Sequence, residues 1–177
     1  MLLSLDISTS CTGYCVFDEN ELKDIGYISL KKQKGLYAKA EHVKKILKEI
    51  RSKFKITDIA VEENLQSFRP GLSSAKTLMI LAQFNGVTRW ICYELFNIEP
   101  VSINVNAARK TVGLRIDRKS LKKTKEQVHE WVAKEDPNII WPTKVLKSGR
   151  NKGQIRIIEE NFDMADAYVI GKAFLTM

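Results

Sequence analysis

Cysteine and histidine are scarce in this chain, which has three of the former and two of the latter among 177 residues. The cysteines Cys11, Cys15 and Cys92 are odd in number and lack the spacing of a metal site. His42 and His129 lie far apart in the sequence, so neither a zinc centre nor a Ser-His-Asp triad is indicated. We therefore expect reduced thiols, as in a cytoplasmic protein.

Long apolar runs are also missing. No stretch approaches the roughly 20 apolar residues that a membrane helix needs, and we find no signal-peptide pattern, so we expect no membrane partner. With 44% hydrophobic and 28% charged residues, the chain has the composition of one folded domain spanning 1–177. The formal net charge is +8 at pH 7, and this excess of positive charge favours a polyanionic partner such as nucleic acid.

The positive charge is concentrated in two segments. Residues 109–125 hold eight basic residues and one acid, and residues 138–160 form a predicted basic loop or hairpin insertion. The alternative to a phosphate-binding role is a solvated surface without a partner. The predicted DNA-contacting residues in these segments are Arg109, Lys110, Arg115, Arg118, Lys119, Lys122, Lys123, Lys144, Lys147, Arg150 and Lys152.

The pattern of apolar residues predicts a mixed five-stranded sheet flanked by helices. Three strands with short connections form an antiparallel meander, and two strands separated by helices add to it in parallel. The predicted strands are 2–8, 12–18, 22–30, 56–63 and 100–104. The predicted helices are 36–54, 75–96, 104–112, 120–135 and a last one capped by Asn161.

Helix 75–96 has more apolar surface than one buried face requires. We expect it either to lie centrally in the core or to contact a second chain.

Carboxylates stand at unusual places in this pattern. Asp6 lies inside an apolar strand, and Glu62 and Glu63 end another, where an isolated acid is costly to bury. Asp163 and Asp166 are three residues apart and share one face of the last helix. Compensation of the helix dipole would explain that pair alone, but the helix face around it is apolar.

Four carboxylates in one place would repel each other unless cations neutralise them. Hard oxygen ligands favour Mg²⁺ or Mn²⁺, and two such ions about 4 Å apart clamp a phosphate for in-line displacement. A basic protein with an acidic metal centre is typical of a nuclease.

The order of these motifs resembles the RuvC family of Holliday-junction resolvases, which has the ribonuclease H-like fold. The similar segments are Leu5-Asp6-Ile7-Ser8, Thr12-Gly13-Tyr14, Ala60-Val61-Glu62-Glu63, Thr111-Val112-Gly113 and Asp163-Met164-Ala165-Asp166-Ala167. The resemblance implies that Asp6, Glu62, Asp163 and Asp166 are catalytic metal ligands, and it selects Glu62 over Glu63.

The resemblance also implies a catalytic lysine before the last acidic pair. Lys125 is the best positional match, with Lys119, Lys122 and Lys123 as alternatives. It implies a homodimer, here through helix 75–96, and an aromatic wedge at the junction. Phe68, beside the basic Arg69, corresponds to that wedge approximately, although Phe68 packing in the core is the alternative.

The implied activity is that of a magnesium-dependent crossover junction endodeoxyribonuclease. It would cut four-way DNA junctions with two Mg²⁺ ions per site, or Mn²⁺ in their place, and leave 5′-phosphate and 3′-hydroxyl ends. The alternatives are a nuclease for other branched DNA or RNA–DNA hybrids, and a branched-DNA binding protein that does not cut. A nucleotide-binding fold of the actin and sugar-kinase type needs two domains, more than 177 residues supply.

The chain departs from the bacterial members of that family. They usually have Asp-Pro-Gly where it has Asp6-Ile7-Ser8, and segment 138–160 is longer than theirs. Such divergence suits a phage or viral branch, acting in the cytoplasm of a bacterium or of a phage-infected cell.

Overall fold

The computed structural model describes residues 1–63 and 74–177. Phe68 and Arg69 lie outside the described residues, so what we predict for them stays a prediction. The strands are β1 (Leu2–Ile7), β2 (Cys11–Asp18), β3 (Glu21–Ser29), β4 (Asp58–Glu62), β5 (Val101–Ile103), β6 (Thr143–Val145) and β7 (Ile155–Ile157). The helices are α1 (Leu36–Lys53), α2 (Ala75–Phe96), α3 (Val105–Thr111), α4 (Thr124–Glu135) and α5 (Glu160–Phe174).

Five strands form the main sheet in the order β3-β2-β1-β4-β5. The first three are antiparallel neighbours, whereas β1 pairs with β4, and β4 with β5, in parallel. The predicted mixed sheet with its N-terminal meander is confirmed. All six residues of β1 are buried because this strand is central and helices cover both faces.

Side chains alternate along β1 between the two faces of the sheet. Leu3, Leu5 and Ile7 belong to a hydrophobic cluster that includes residues of α1 and α2. Leu2 belongs to a second cluster on the other face, with residues of α3, α4 and α5. By the same alternation, Asp6 lies on the face of the sheet that α5 covers.

The last helix packs unusually closely on the first two strands. Ser4 Oγ donates a hydrogen bond of 2.8 Å to the carbonyl oxygen of Ala167. A Cβ at Gly13 would overlap the Asp163 carbonyl group, and one at Gly171 would overlap the side chains of Phe17 and Ser4. The two glycines therefore let α5 rest directly on β1 and β2.

The segment before α5 forms a hairpin of its own. Strands β6 and β7 make a separate two-stranded sheet, and all six of their residues are exposed. The prediction that Asn161 caps α5 is wrong, since the helix begins at Glu160 and Asn161 lies buried inside it. Its side-chain amide instead donates a hydrogen bond of 3.0 Å to the Pro142 carbonyl oxygen and so ties α5 to the base of the hairpin.

Helix α2 is divided between core and solvent. Phe84 and Ile91 are buried, but Met79, Trp90 and Tyr93 are 65%, 63% and 46% exposed. The rings of Trp90 and Tyr93 lie 5.9 Å apart. The spacing of Met79, Trp90 and Tyr93 matches the period of 3 to 4 residues that places side chains on one face of a helix. These exposed side chains therefore form one stripe along α2.

A membrane-spanning helix is not found among residues 1–63 and 74–177, where every helix is too short or too polar to cross a bilayer.

Candidate active site

Two neighbouring parallel strands bring the first two acids together. Leu5 of β1 is in register with Val61 of β4, so Asp6 and Glu62 come next on adjacent strands at the same edge of the sheet. The start of α5 crosses this edge and adds Asp163 and Asp166. The four predicted acids, from the two ends of the chain, therefore lie in one cluster.

Asp6 is the most buried member of the acid cluster, with 9% of the residue exposed. Burial raises the pKa of Asp6 well above its ordinary value, and the negative charges of Glu62, Asp166 and Asp163 raise it further. A side-chain hydrogen bond with Glu62 also raises the pKa, because the protonated Asp6 carboxyl group donates it. Asp6 thus faces all three other acids, and this crowding of negative charge favours its protonated form.

Asp163 lies on the other side of the cluster, beside Cys11 and Lys125. Burial raises the pKa of Asp163 to about 6, and the charges of Asp166 and Glu160 add to that rise. The Cys11 thiol, which donates a hydrogen bond to it, and the positive charge of Lys125 act in the opposite direction. The lowering by Lys125 shows that this ammonium group is close enough to act on the carboxylate.

Asp166 has a positive partner inside the cluster. Burial raises the pKa of Asp166, while an ion pair of 3.1 Å with the Arg109 guanidinium lowers it. The two side chains are 20% and 17% exposed. Arg109 faces the acids because α3 packs against α5, and the DNA contact predicted for it stays a prediction.

Glu62 and Glu63 have different neighbours. Glu62 contacts Asp6. Glu63 accepts a hydrogen bond of 3.0 Å from the Asn104 side-chain amide at the start of α3. Both line a cavity of about 170 Å³ together with Asp6. The geometry therefore favours Glu62 as the closer partner of Asp6.

Asn85 of α2 lines the same cavity, and the sequence analysis did not single it out. The residue is only 2% exposed. The signal in the sequence is a polar residue beside Phe84 on the buried side of an apolar helix.

The predicted lysine sits on a different element from the acids. Lys125, in the first turn of α4, lies with its Nζ atom 4.5 Å from the ring centroid of Phe162. Of the alternatives, Lys122 forms an ion pair of 2.6 Å with Glu130. Lys123 lies just before the first residue of α4. Trp141 packs on His129 with ring centroids 4.3 Å apart, so it is part of the packing below the hairpin.

The remaining predicted DNA-contacting residues within 1–63 and 74–177 lie at the surface, at the end of α3, on the loop between α3 and α4 or on the hairpin. The exposed ones are Lys110, Arg115, Arg118, Lys119, Lys122, Lys123, Lys144, Lys147, Arg150 and Lys152.

Comparison with known proteins gives a structural match without a sequence match. No family model and no curated protein matches the chain. The chain is similar to Thermus thermophilus RuvC in complex with a Holliday junction substrate, with a TM-score of 0.63 over 97% of this chain and 90% of that chain, at 13% identity. The chain has the RuvC fold.

Two further structures support this assignment of the RuvC fold. Thermus thermophilus RuvC in another structure gives a TM-score of 0.59 at 13% identity, covering 97% of this chain and 91% of that one. The yeast mitochondrial Holliday junction resolvase Ydc2 gives a TM-score of 0.58 at 16% identity, covering 99% of this chain and 77% of that chain. The resemblance to RuvC noted in the motifs is confirmed for the fold.

The acid cluster on this RuvC fold suits divalent cations in ligand type and charge. Within the described part of the chain, no three His, Cys, Asp or Glu side chains stand in a ready-made metal geometry. The reason is that the acids are paired off: Asp6 with Glu62, Asp163 with Cys11 and Asp166 with Arg109. The mutual repulsion at Asp6 is what a cation would relieve, so the residues present fit such an ion.

Proposed function

We propose that this protein is a structure-selective endonuclease that cuts four-way DNA junctions. The observation that carries this proposal is the convergence of Asp163 and Asp166 on Asp6 and Glu62, on a fold that this chain has in common with RuvC. One of the similar structures is RuvC in complex with a Holliday junction substrate. The net charge of +8 suits such a polyanionic substrate.

In this proposal Asp6, Glu62, Asp163 and Asp166 hold two Mg²⁺ ions, or Mn²⁺ in their place. When bound, these ions supply an activated water for attack on the phosphorus and stabilise the leaving oxygen. The acids must be ionised to take part. Asp6 would therefore have to be deprotonated and lose its hydrogen bond to Glu62, while the ion pair with Arg109 favours the charged form of Asp166 against the effect of burial.

Two further side chains act on the phosphate. The Lys125 ammonium group, close to Asp163, stabilises the negative charge that develops on the phosphate in the transition state. The Asn85 amide, buried at the cavity that Asp6 also lines, donates to a non-bridging phosphate oxygen. Cleavage in this arrangement leaves a 5′-phosphate and a 3′-hydroxyl.

The DNA lies across the basic loop 109–125 and the hairpin of segment 138–160, which we regard as an insertion in a single domain of residues 1–177. Two copies of the chain associate through the exposed stripe on α2, so that each cuts one strand of the junction. Phe68 and Arg69, outside the described residues, contact the junction centre. We place the enzyme in the cytoplasm of a bacterium or of a phage-infected cell, with its thiols reduced.

The test is cleavage of a labelled synthetic four-way junction with Mg²⁺, for the wild type and for Asp6→Asn. We expect paired cuts by the wild type and at least about a thousandfold slower cutting by the variant, which should still bind the junction. Asp58→Asn is the matched control, because Asp58 is an exposed acid at the other end of β4. A wild type that binds but never cuts, or an Asp6→Asn variant that cuts normally, contradicts the proposal.

A further inference from the structure

Phe162 stands between the predicted catalytic lysine and the acids. It directly precedes Asp163 in the first turn of α5. The Nζ atom of Lys125 lies 4.5 Å from the centroid of its ring, well within the range of about 6 Å for a cation–π interaction. One ammonium group therefore meets an aromatic face and, beside it, a carboxylate of the cluster.

The aromatic ring is itself held in place. The His129 ring meets Phe162 edge to face, with centroids 5.9 Å apart, and Trp141 packs on the same imidazole at 4.3 Å. The Phe162 amide donates a hydrogen bond of 3.0 Å to the Glu159 carbonyl oxygen. Helix α4 thus contacts the ring through His129, which Trp141 at the base of the hairpin supports from behind.

Lys125 has no ion pair with a carboxylate within residues 1–63 and 74–177, whereas Lys122, on the same segment, has one with Glu130. A carboxylate partner would neutralise the ammonium group and compete with an incoming phosphate. An aromatic face attracts the cation without carrying a full negative charge. It orients the ammonium group and leaves its charge available.

We propose that Phe162 is a positioning residue, which holds Lys125 by a cation–π contact so that its charge meets the scissile phosphate. This rests on the proposed nuclease function. Loss of the contact should slow the chemical step by about two- to fivefold, the range expected for such a contact at a partly exposed site. It should leave junction affinity nearly unchanged, because the change removes no basic residue from the loop or the hairpin that would bind the DNA.

The experiment replaces Phe162 by phenylalanine analogues with one, two and five fluorine atoms, which preserve the ring and weaken its negative face stepwise. The single-turnover cleavage rate should fall in that order in the wild-type background and stay constant in a Lys125→Met background. Junction affinity, measured with Ca²⁺ in place of Mg²⁺, should not change. Phe174→Leu, on the same helix and away from the acids, is the control substitution and should cut at the wild-type rate.

A second measurement does not depend on cleavage. The ε-CH₂ protons of Lys125 should resonate upfield in the NMR spectrum because of the Phe162 ring current, and Phe162→Leu should abolish that shift. Two results would overturn the positioning role of Phe162 and leave the nuclease proposal standing. One is a wild type that cuts junctions but lacks the upfield shift of Lys125, and the other is a cleavage rate that does not change with fluorination of Phe162. A wild type that shows the shift but cuts no junction overturns the nuclease proposal, and the role of Phe162 with it.

Discussion

Asp6 illustrates at the scale of one residue how the acid cluster opposes the stability of the fold. It is buried and it faces three other carboxylates, and both effects raise its pKa above that of an exposed aspartate. Such an arrangement costs free energy in a protein whose overall stability is about 5–15 kcal/mol. If the acids hold cations, binding of those cations to the folded state offsets this free-energy cost.

The raised pKa of Asp163 predicts how stability depends on pH. The unfolded chain loses this proton near pH 3.8 and the folded chain near pH 6, so the folded state holds more protons between these values. The stability that this group contributes is complete below pH 3.8 and is lost as the pH rises through 6. In metal-free buffer, the melting temperature should therefore fall between pH 5 and pH 7.5.

Divalent cations should reverse that loss, because they bind only the ionised acids of the folded state. Mn²⁺ should raise the melting temperature more at pH 7.5 than at pH 5. Each kcal/mol of stabilisation by binding should raise the melting temperature by about 2–4 °C. Differential scanning calorimetry of the wild type and of Asp163→Asn measures this. Asp163→Asn should give a flatter pH profile and a smaller Mn²⁺ effect. Equal shifts at both pH values would contradict the assignment of these acids as metal ligands.

Residue patterns predicted the acids but not their partners. Asp6 and Glu62 stand out because each interrupts an apolar strand, a signal that local sequence carries. The pairing of Arg109 with Asp166 depends on how α3 packs on α5, across 57 residues of chain, and no local pattern contains it. The hydrogen bond from Asn161 to Pro142 could not be predicted from local sequence either, because it depends on where the hairpin lies.

At the scale of elements, the order of strands and helices followed from hydrophobic periodicity, and the differences lie at boundaries. Helix α4 begins at Thr124 rather than at residue 120. The preceding basic residues stay outside the helix because Glu126 accepts a hydrogen bond of 2.6 Å from the Lys123 amide and so fixes the first turn there. Side-chain capping of this kind decides where a helix starts more sharply than periodicity does.

The hairpin allows a test of DNA binding by a single element. Changing four of its five exposed basic residues to Gln should weaken junction binding at least about tenfold at moderate salt and make the salt dependence shallower by up to about one unit of slope per lost contact. Fluorescence anisotropy over a series of KCl concentrations measures both. The residues to change are Lys144, Lys147, Arg150 and Lys152.

A charge-matched control comes from α1, whose side of the sheet lies opposite α5. Its exposed basic residues, changed to Gln together, should lower affinity far less than the hairpin variant does. Those residues are Lys45, Lys48, Arg51 and Lys53. Equal losses from the two sets would mean that only net charge matters, and would refute a specific role of the hairpin.

At the scale of the whole molecule, the exposed stripe on α2 predicts self-association. Met79, Trp90 and Tyr93 would be shielded from water by a second copy, and Gly86 between them has open space around its Cα. Trp90→Glu should convert a dimer into a monomer in sedimentation equilibrium at micromolar concentration. It should also abolish paired cuts on opposite strands.

Tyr37→Glu is the control for the α2 variant, because this side chain is 82% exposed but lies on α1, outside the stripe. It should leave the dimer intact. A wild type that stays monomeric at tens of micromolar, or a Trp90→Glu protein that remains dimeric, would exclude α2 as the dimer interface. The sequence indicated this stripe only as a surplus of apolar residues, because the division between core and solvent depends on the packing of α1.

The close packing of α5 on the first two strands has a consequence for synthesis of the protein. Asp163 and Asp166 leave the ribosome 157 and 160 positions after Asp6. Gly13 lies against the backbone of Asp163, so the acids can meet only when the final helix docks. A nascent chain therefore carries an incomplete set of acids until α5 has emerged, and a ribosome that stalls before that point releases a chain in which the acid cluster cannot form.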